Sequence, residues 1–150
     1  MIQELFLPCL YAFVASVAFS ILFNIHGFGI VICGIGGTLG WLAYLLTFPY
    51  YMSPILPNFI AGITISLFAE IMSRIRKCPV TGYLMVAFFP LVPGGGIYYT
   101  MSYLLNNQRD LAVAKGLETF GIAGAIAIGV FLGSSLMRLV FAIIHHHRRA

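Results

Sequence analysis

Apolar residues occupy the first half of the chain in one long block. No aspartate, glutamate, lysine or arginine occurs in the 65 residues from Leu5 to Ala69. A hydrocarbon core about 30 Å thick is crossed by roughly 20 helical residues, so this block is long enough for three crossings. Two groups of turn-forming residues, 24–29 and 49–54, divide the block. The pattern predicts helices at about 5–23, 30–48 and 55–73.

A second apolar block follows, and a proline and glycine segment interrupts it at 90–96. A polar connector, 106–115, separates this block from a final apolar stretch. None of the blocks shows the alternation of apolar and polar residues that is typical of membrane β-barrels. We therefore predict one all-α integral membrane domain over residues 1–150 with about five transmembrane helices. The fourth helix, 79–105, is predicted to be broken near 90–96, and the fifth to cover 117–144.

The composition excludes several classes of protein. Hydrophobic residues make up 61% of the chain, charged residues make up 8%, and the mean hydropathy is +1.00. A soluble domain carries about a quarter charged residues, because its surface faces water. The chain is therefore not expected to be a soluble enzyme, or to bind nucleic acid through a basic face.

Basic residues predict the orientation in the membrane, because cytoplasmic loops carry an excess of them. With the N-terminus outside, five crossings place the C-terminus in the cytoplasm. If the fourth segment re-enters the membrane instead of crossing it, the C-terminus lies on the outer side. In the predicted orientation Arg109 and Lys115 lie outside, and the cytoplasmic side carries Arg74, Arg76, Lys77, Arg148 and Arg149. The run of His145, His146 and His147 beside the last two arginines is interpreted as an interfacial anchor.

Small residues recur at a spacing of four in two of the predicted helices. Such a stripe lets helix backbones approach closely, and packing is a main source of helix association in lipid. We interpret these residues as contacts between helices, and the stripe in the fifth helix as a further candidate for docking a partner protein. The residues are Gly36 and Gly40 in the second helix and Gly121, Ala125, Gly129 and Gly133 in the fifth.

Glu70 is an acidic residue inside a predicted span. A carboxylate at membrane depth is costly and is therefore a functional candidate. It can carry or coordinate a coupling proton or cation, or it can form an ion pair with Arg74 one helical turn later. The sequence leaves both interpretations open, and Arg74 can instead bind a substrate carboxylate.

The proline and glycine segment is the strongest local feature. Pro90 and Pro93 each lack a backbone donor, and the run of Gly94, Gly95 and Gly96 permits conformations that other residues avoid. Unwound backbone at membrane depth is tolerated where it is buried or lines a wet cavity, and many transporters build their sites this way. The segment is therefore a candidate substrate site or a kink without a ligand.

Other polar residues add little chemistry. Thr81 and Asn24 are weaker candidates for lining a pathway. The glycine run lacks the spacing of a phosphate-binding loop, and no motif for a cofactor or a metal is present. No arrangement of acids, or of serine and histidine, indicates catalysis, so an enzyme is not predicted.

Two segments are informative beyond their hydropathy: F-A-E-I-M-S-R-I-R-K-C-P-V-T at 68–81 and F-P-L-V-P-G-G-G-I-Y-Y-T-M at 89–101. They resemble the threonine/serine exporter family, and in particular its small-subunit type, which is equivalent to the C-terminal half of the full-length exporter. The resemblance implies a subunit of an exporter of threonine and serine, or of dicarboxylates such as succinate, driven by the proton motive force. It also implies a larger membrane subunit as partner, because the other half of the full-length exporter is absent from the sequence. The alternative is a substrate-binding membrane module of an ATP-driven transporter.

Overall fold

A computed structural model describes the backbone of residues 2–147 and the side chains of residues 5–143. The predicted anchor of His145, His146, His147, Arg148 and Arg149 lies outside the residues whose side chains are described. Within the described chain all regular structure is helical. The helices are α1 (Ile2–Leu22), α2 (Gly29–Thr47), α3 (Ile55–Arg76), α4 (Val80–Phe88), α5 (Gly94–Leu105) and α6 (Arg109–His147). Short 3₁₀ turns, Phe48–Tyr50 and Phe89–Leu91, follow α2 and α4.

Four of the described helices are long and apolar enough to cross a membrane. The pair of α4 and α5 adds a fifth crossing if it counts as one span, bent by 50° at its break. The structure therefore confirms the prediction of an all-α membrane protein with about five spans, the fourth broken at the proline and glycine segment. The chain is a multi-pass membrane protein.

The last helix starts earlier than the sequence predicted. It begins at Arg109, whereas the prediction placed a connector up to Lys115 and the helix start near Leu117. The connector was assigned from its polarity, but polar residues do not break a helix, and leucine, alanine and lysine in this segment are good helix formers. Only 106–108 separate α5 from α6, with Asn107 in the left-handed conformation at φ 57°.

Helix α3 lies at the centre of the bundle and packs against α2, α4 and α6. Helices α3 and α6 run in the same direction. Ile55, at the start of α3, contacts Gly121, and Glu70, near its end, contacts Arg138. This parallel arrangement is the one that an odd number of intervening crossings requires.

Small residues allow α3 and α6 to approach at backbone distance. A Cβ atom on Gly62 of α3 would lie 2.9 Å from the carbonyl oxygen of Ile126, and one on Gly129 of α6 would overlap the carbonyl oxygen of Phe59. Gly133 lies against Ser66 in the same way, and Ala125 is buried. The stripe in α6 thus faces α3 within the chain, and this face is not free to dock a partner protein.

The stripe of small residues in α2 faces α3 and the C-terminal end of α4. Gly36 lies against Phe68 and Ala87, and Gly40 lies against Ile65 and Leu91. These contacts bring the end of α4 into the middle of the bundle, halfway along α3. The break that follows Leu91 therefore begins at about half the depth of the helices.

Candidate functional site

The break between α4 and α5 has a local cause in the sequence. Pro90 and Pro93 cannot donate the backbone hydrogen bonds that would continue α4. After the 3₁₀ turn, Val92 takes an extended conformation at φ −58° and ψ 126°, and α5 starts anew at Gly94. The chain thus leaves helical geometry at Val92, which is exposed, and at Pro93, which is half-buried.

A cavity of about 260 Å³ lies beside this break. The lining comes from four helices and the two non-helical segments before α3 and α5. Ligand pockets usually measure about 300–1,000 Å³, so this cavity lies just below the usual range and has room only for a small molecule. The lining residues are Trp41, Tyr44, Pro54, Asn58, Pro90, Leu91, Val92, Pro93, Gly96, Lys115, Glu118, Thr119 and Ile122.

Trp41, one of the residues that line the cavity, carries a buried donor without a partner. The indole Nε1 of Trp41 has no hydrogen-bond partner among the described residues. Two other polar side chains of the lining donate to backbone carbonyls: Asn58 Nδ2 to that of Pro54 at 2.8 Å, and the Thr119 hydroxyl to that of Lys115 at 2.7 Å. A buried N–H without a partner costs free energy, which a bound acceptor would recover.

Charges of both signs stand at the cavity. Lys115 Nζ donates to Glu118 Oε2 at 2.8 Å, and both side chains are about one-third exposed. Helices α3 and α5 also begin here, after Pro54 and Pro93, and helix N-termini carry partial positive charge. Lys115 could bind a carboxylate and Glu118 an ammonium group only when the ion pair between them opens.

A second polar cluster lies near the other end of α3 and α6. The side chain of Glu70 is 3% exposed, and its carboxylate oxygens lie 3.6 Å from Arg74 Nη2 and 3.6 Å from Arg138 Nε. The guanidinium of Arg74 also stacks over the ring of Phe141, 4.0 Å from its centroid. Two guanidinium groups thus share one carboxylate, and the cluster keeps a net positive charge.

The structure divides the predicted site residues between these two places. Pro90, Pro93 and Gly96 line the cavity, whereas a Cβ atom on Gly94 or Gly95 would have open space around it. Glu70 and Arg74 do not lie beside the broken segment. Glu70 is twelve residues after Asn58 on α3, which corresponds to about 18 Å along the helix.

The two weaker candidates lie away from the cavity. Thr81 is exposed at the start of α4 and lines a separate cavity of about 360 Å³ together with His26 and Arg76. Asn24 is exposed and adopts a left-handed conformation, φ 58°, in the turn after α1. Asparagine tolerates this conformation better than most residues, which gives it a role in the turn.

Sequence reasoning missed two features. Trp41, Lys115 and Glu118 come to the cavity from distant parts of the chain, and no local pattern marks them. Arg138 was overlooked although a signal exists, because it is a lone basic residue within the predicted last span. No group of three or more histidine, cysteine or acidic residues that could hold a metal ion occurs in the described part of the chain.

Comparison with known proteins gives one family. The family model described as Threonine/Serine exporter, ThrE, matches residues 8–136. No curated protein matches the chain. No solved structure matches it either. The family match covers most of the chain, including the broken span and the cavity, and the chain therefore belongs to the threonine/serine exporter family of membrane transporters.

Proposed function

We propose that this chain is the small subunit of a secondary exporter of small polar metabolites, either threonine and serine or dicarboxylates such as succinate. The observation that carries the proposal is the cavity at the broken span. Its lining includes Trp41, whose buried indole N–H has no partner among the described residues, together with charges of both signs and two helix N-termini around a space of about 260 Å³. Family membership indicates the class of transport, and the cavity is the substrate site in this proposal.

The charges indicate how substrates would be held. A substrate carboxylate would accept from Lys115 and from Trp41 Nε1, near the positive ends of α3 and α5. The ammonium group of serine or threonine would face Glu118. A dicarboxylate would lack that favourable contact and would rely on Lys115 and the helix ends.

The energy source in this proposal is the proton motive force. Glu70 is the candidate coupling group, because a carboxylate with 3% exposure inside a span is costly unless it serves a function. The charged groups that the structure places against it are Arg74 from α3 and Arg138 from α6. If Glu70→Gln leaves proton-dependent export unchanged, the coupling role is lost and the cluster is a structural ion network.

The setting of the proposal is the bacterial cytoplasmic membrane, with the N-terminus outside, the C-terminus in the cytoplasm and a larger membrane subunit as partner. Five crossings are an odd number, so two such halves in series would be inverted relative to each other. Inverted repeats with a site at their interface are a common plan of secondary transporters. The resemblance to one half of a full-length exporter supports the same partnership.

Export from preloaded cells tests the function. Cells without their own exporters are loaded with serine, threonine or succinate and express this chain alone, the larger exporter-family subunit alone, or both. We expect export only with both chains, and we expect it to collapse with an uncoupler and to survive depletion of ATP. Export by this chain alone would contradict the need for a partner, and dependence on ATP would favour a module of an ATP-driven transporter.

Trp41→Phe is expected to raise the substrate concentration for half-maximal export about tenfold. The phenyl ring keeps most of the packing against Tyr44, but the indole donor to the carboxylate is lost, and a hydrogen bond to a charged group contributes about 1.5–3 kcal/mol. Export rates over a range of internal substrate concentrations measure the change. Tyr98→Phe is the control, because it removes an exposed hydroxyl outside the cavity. An unchanged concentration dependence in Trp41→Phe would remove the indole from the binding site.

A further inference from the structure

Helix α6 presents a second face, opposite the one that packs on α3. Phe120, Gly124, Ile128, Phe131 and Arg138 recur at helical spacing along it, and we call this set the outer face of α6. Phe120 is 82% exposed and Phe131 is 69% exposed, and a Cβ atom on Gly124 would meet nothing within 4 Å. Among the described residues nothing covers the part of this face from Phe120 to Phe131, whereas Arg138 at its end reaches Glu70 of α3.

Arg138 makes the outer face costly in lipid. Its contact Glu70 is six residues before the end of α3, which places this level about 9 Å inside that end of the helix. The Arg138 side chain is nevertheless 74% exposed. An arginine at membrane depth is costly unless it is paired. Glu70 does not complete the pairing, because it is shared with Arg74 and lies 3.6 Å from each guanidinium group.

A second copy of the chain does not supply the missing acceptor. The sequence contains four acidic residues: Glu4, Glu70, Asp110 and Glu118. Glu70 is buried, and the other three belong to the opposite end of the bundle, near the starts of α1 and α6. A copy in the same orientation would therefore place arginine against arginine at this level.

We propose that the outer face of α6 docks a transmembrane helix of a different chain, and that this helix carries an aspartate or glutamate that pairs with Arg138. The net positive charge of the Glu70, Arg74 and Arg138 cluster selects an acidic partner, and the open space at Gly124 allows close approach. The inference rests on the proposed function, in which the larger subunit is that chain. It adds the surface and the chemistry of the contact.

Photocrosslinking tests the surface. The larger exporter-family subunit and this chain are co-expressed with different tags, and p-benzoyl-phenylalanine replaces Phe131 or, as a control, Val14 on α1, which is also exposed. We expect an adduct between the two chains at Phe131, in much higher yield than at Val14. An adduct of two copies of this chain, equal yields at both positions, or no protein adduct although the two chains co-purify would overturn the inference and leave the partnership intact. Failure of the chains to co-purify would overturn both.

Charge variants test the pairing. Arg138→Gln is expected to lower the amount of larger subunit that co-purifies per copy of this chain about tenfold, whereas Arg138→Lys keeps most of it. Arg74 still balances Glu70 in both variants, so the chain keeps its fold. Arg109→Gln is the matched control, since it removes an exposed arginine at the other end of the same helix. Unchanged co-purification of Arg138→Gln would show that lipid headgroups or water suffice for Arg138, and would overturn the inference.

Discussion

Replacing Gly129 with leucine is expected to destabilise the bundle by about 3 kcal/mol, at the upper end of what overpacking usually costs. A Cβ atom at this position already overlaps the carbonyl oxygen of Phe59, and it would lie 3.3 Å from the backbone nitrogen of Ile63. Backbone atoms of a packed helix cannot move aside as a flexible side chain can. Helices α3 and α6 must therefore separate, and the contact at the centre of the fold is lost.

Unfolding in detergent measures this effect, with the single tryptophan, Trp41, as a fluorescent reporter in α2. Gly124→Leu is the matched control, because it adds the same side chain to the same helix where nothing lies within 4 Å. We expect Gly124→Leu to unfold at the wild-type concentration of denaturing detergent and Gly129→Leu at a clearly lower one. Equal midpoints for the two variants would mean that α3 and α6 are not in contact at Gly129.

The double variant Arg74→Gln with Arg138→Gln is expected to lose about 3–5 kcal/mol of stability, the usual cost of leaving a buried charge uncompensated. Glu70 would then have no counter-charge among the described residues, and its side chain is 3% exposed. The loss of stability comes from the uncompensated charge of Glu70 and not from the removal of the two arginine side chains. Adding Glu70→Gln to the double variant is therefore expected to restore most of the stability.

The same unfolding assay follows these variants. A control that removes two other positive charges, Lys77→Gln with Arg109→Gln, is expected to change the stability by less than about 1 kcal/mol, because both residues are exposed. If the triple variant is no more stable than the double variant, the arginines stabilise the bundle through other contacts.

The sequence predicted the fold well because lipid leaves few choices. An uncharged block of 65 residues must form several crossings, and the residues at each turn mark where the crossings end. The extent of α6 was harder to predict, because helix-forming residues in a polar segment do not show where a span ends. The structure shows that α6 begins at Arg109 and packs on α5.

The site was predictable only in its local part. Two prolines within four residues break a helix wherever they occur, so the broken span was recognised from its own residues. The rest of the cavity depends on which helices meet. Trp41 on α2 and Lys115 on α6 are 74 positions apart, and nothing near either residue records that they face the same space. The separation of Glu70 from the cavity likewise follows from the direction of α3.

Helix α6 connects the cavity with the cluster of Glu70, Arg74 and Arg138 as one continuous element. It is continuous from Thr119 at the cavity to Arg138 at the ion cluster, a distance of about 28 Å, and no proline interrupts it. A tilt of about 10° around its middle would move each of these residues by about 2.5 Å in opposite directions, which is enough to open one set of contacts while closing the other. The neighbouring span, formed by α4 and α5, is broken at Val92 and Pro93. Bending of that span at the break would accommodate a tilt of α6.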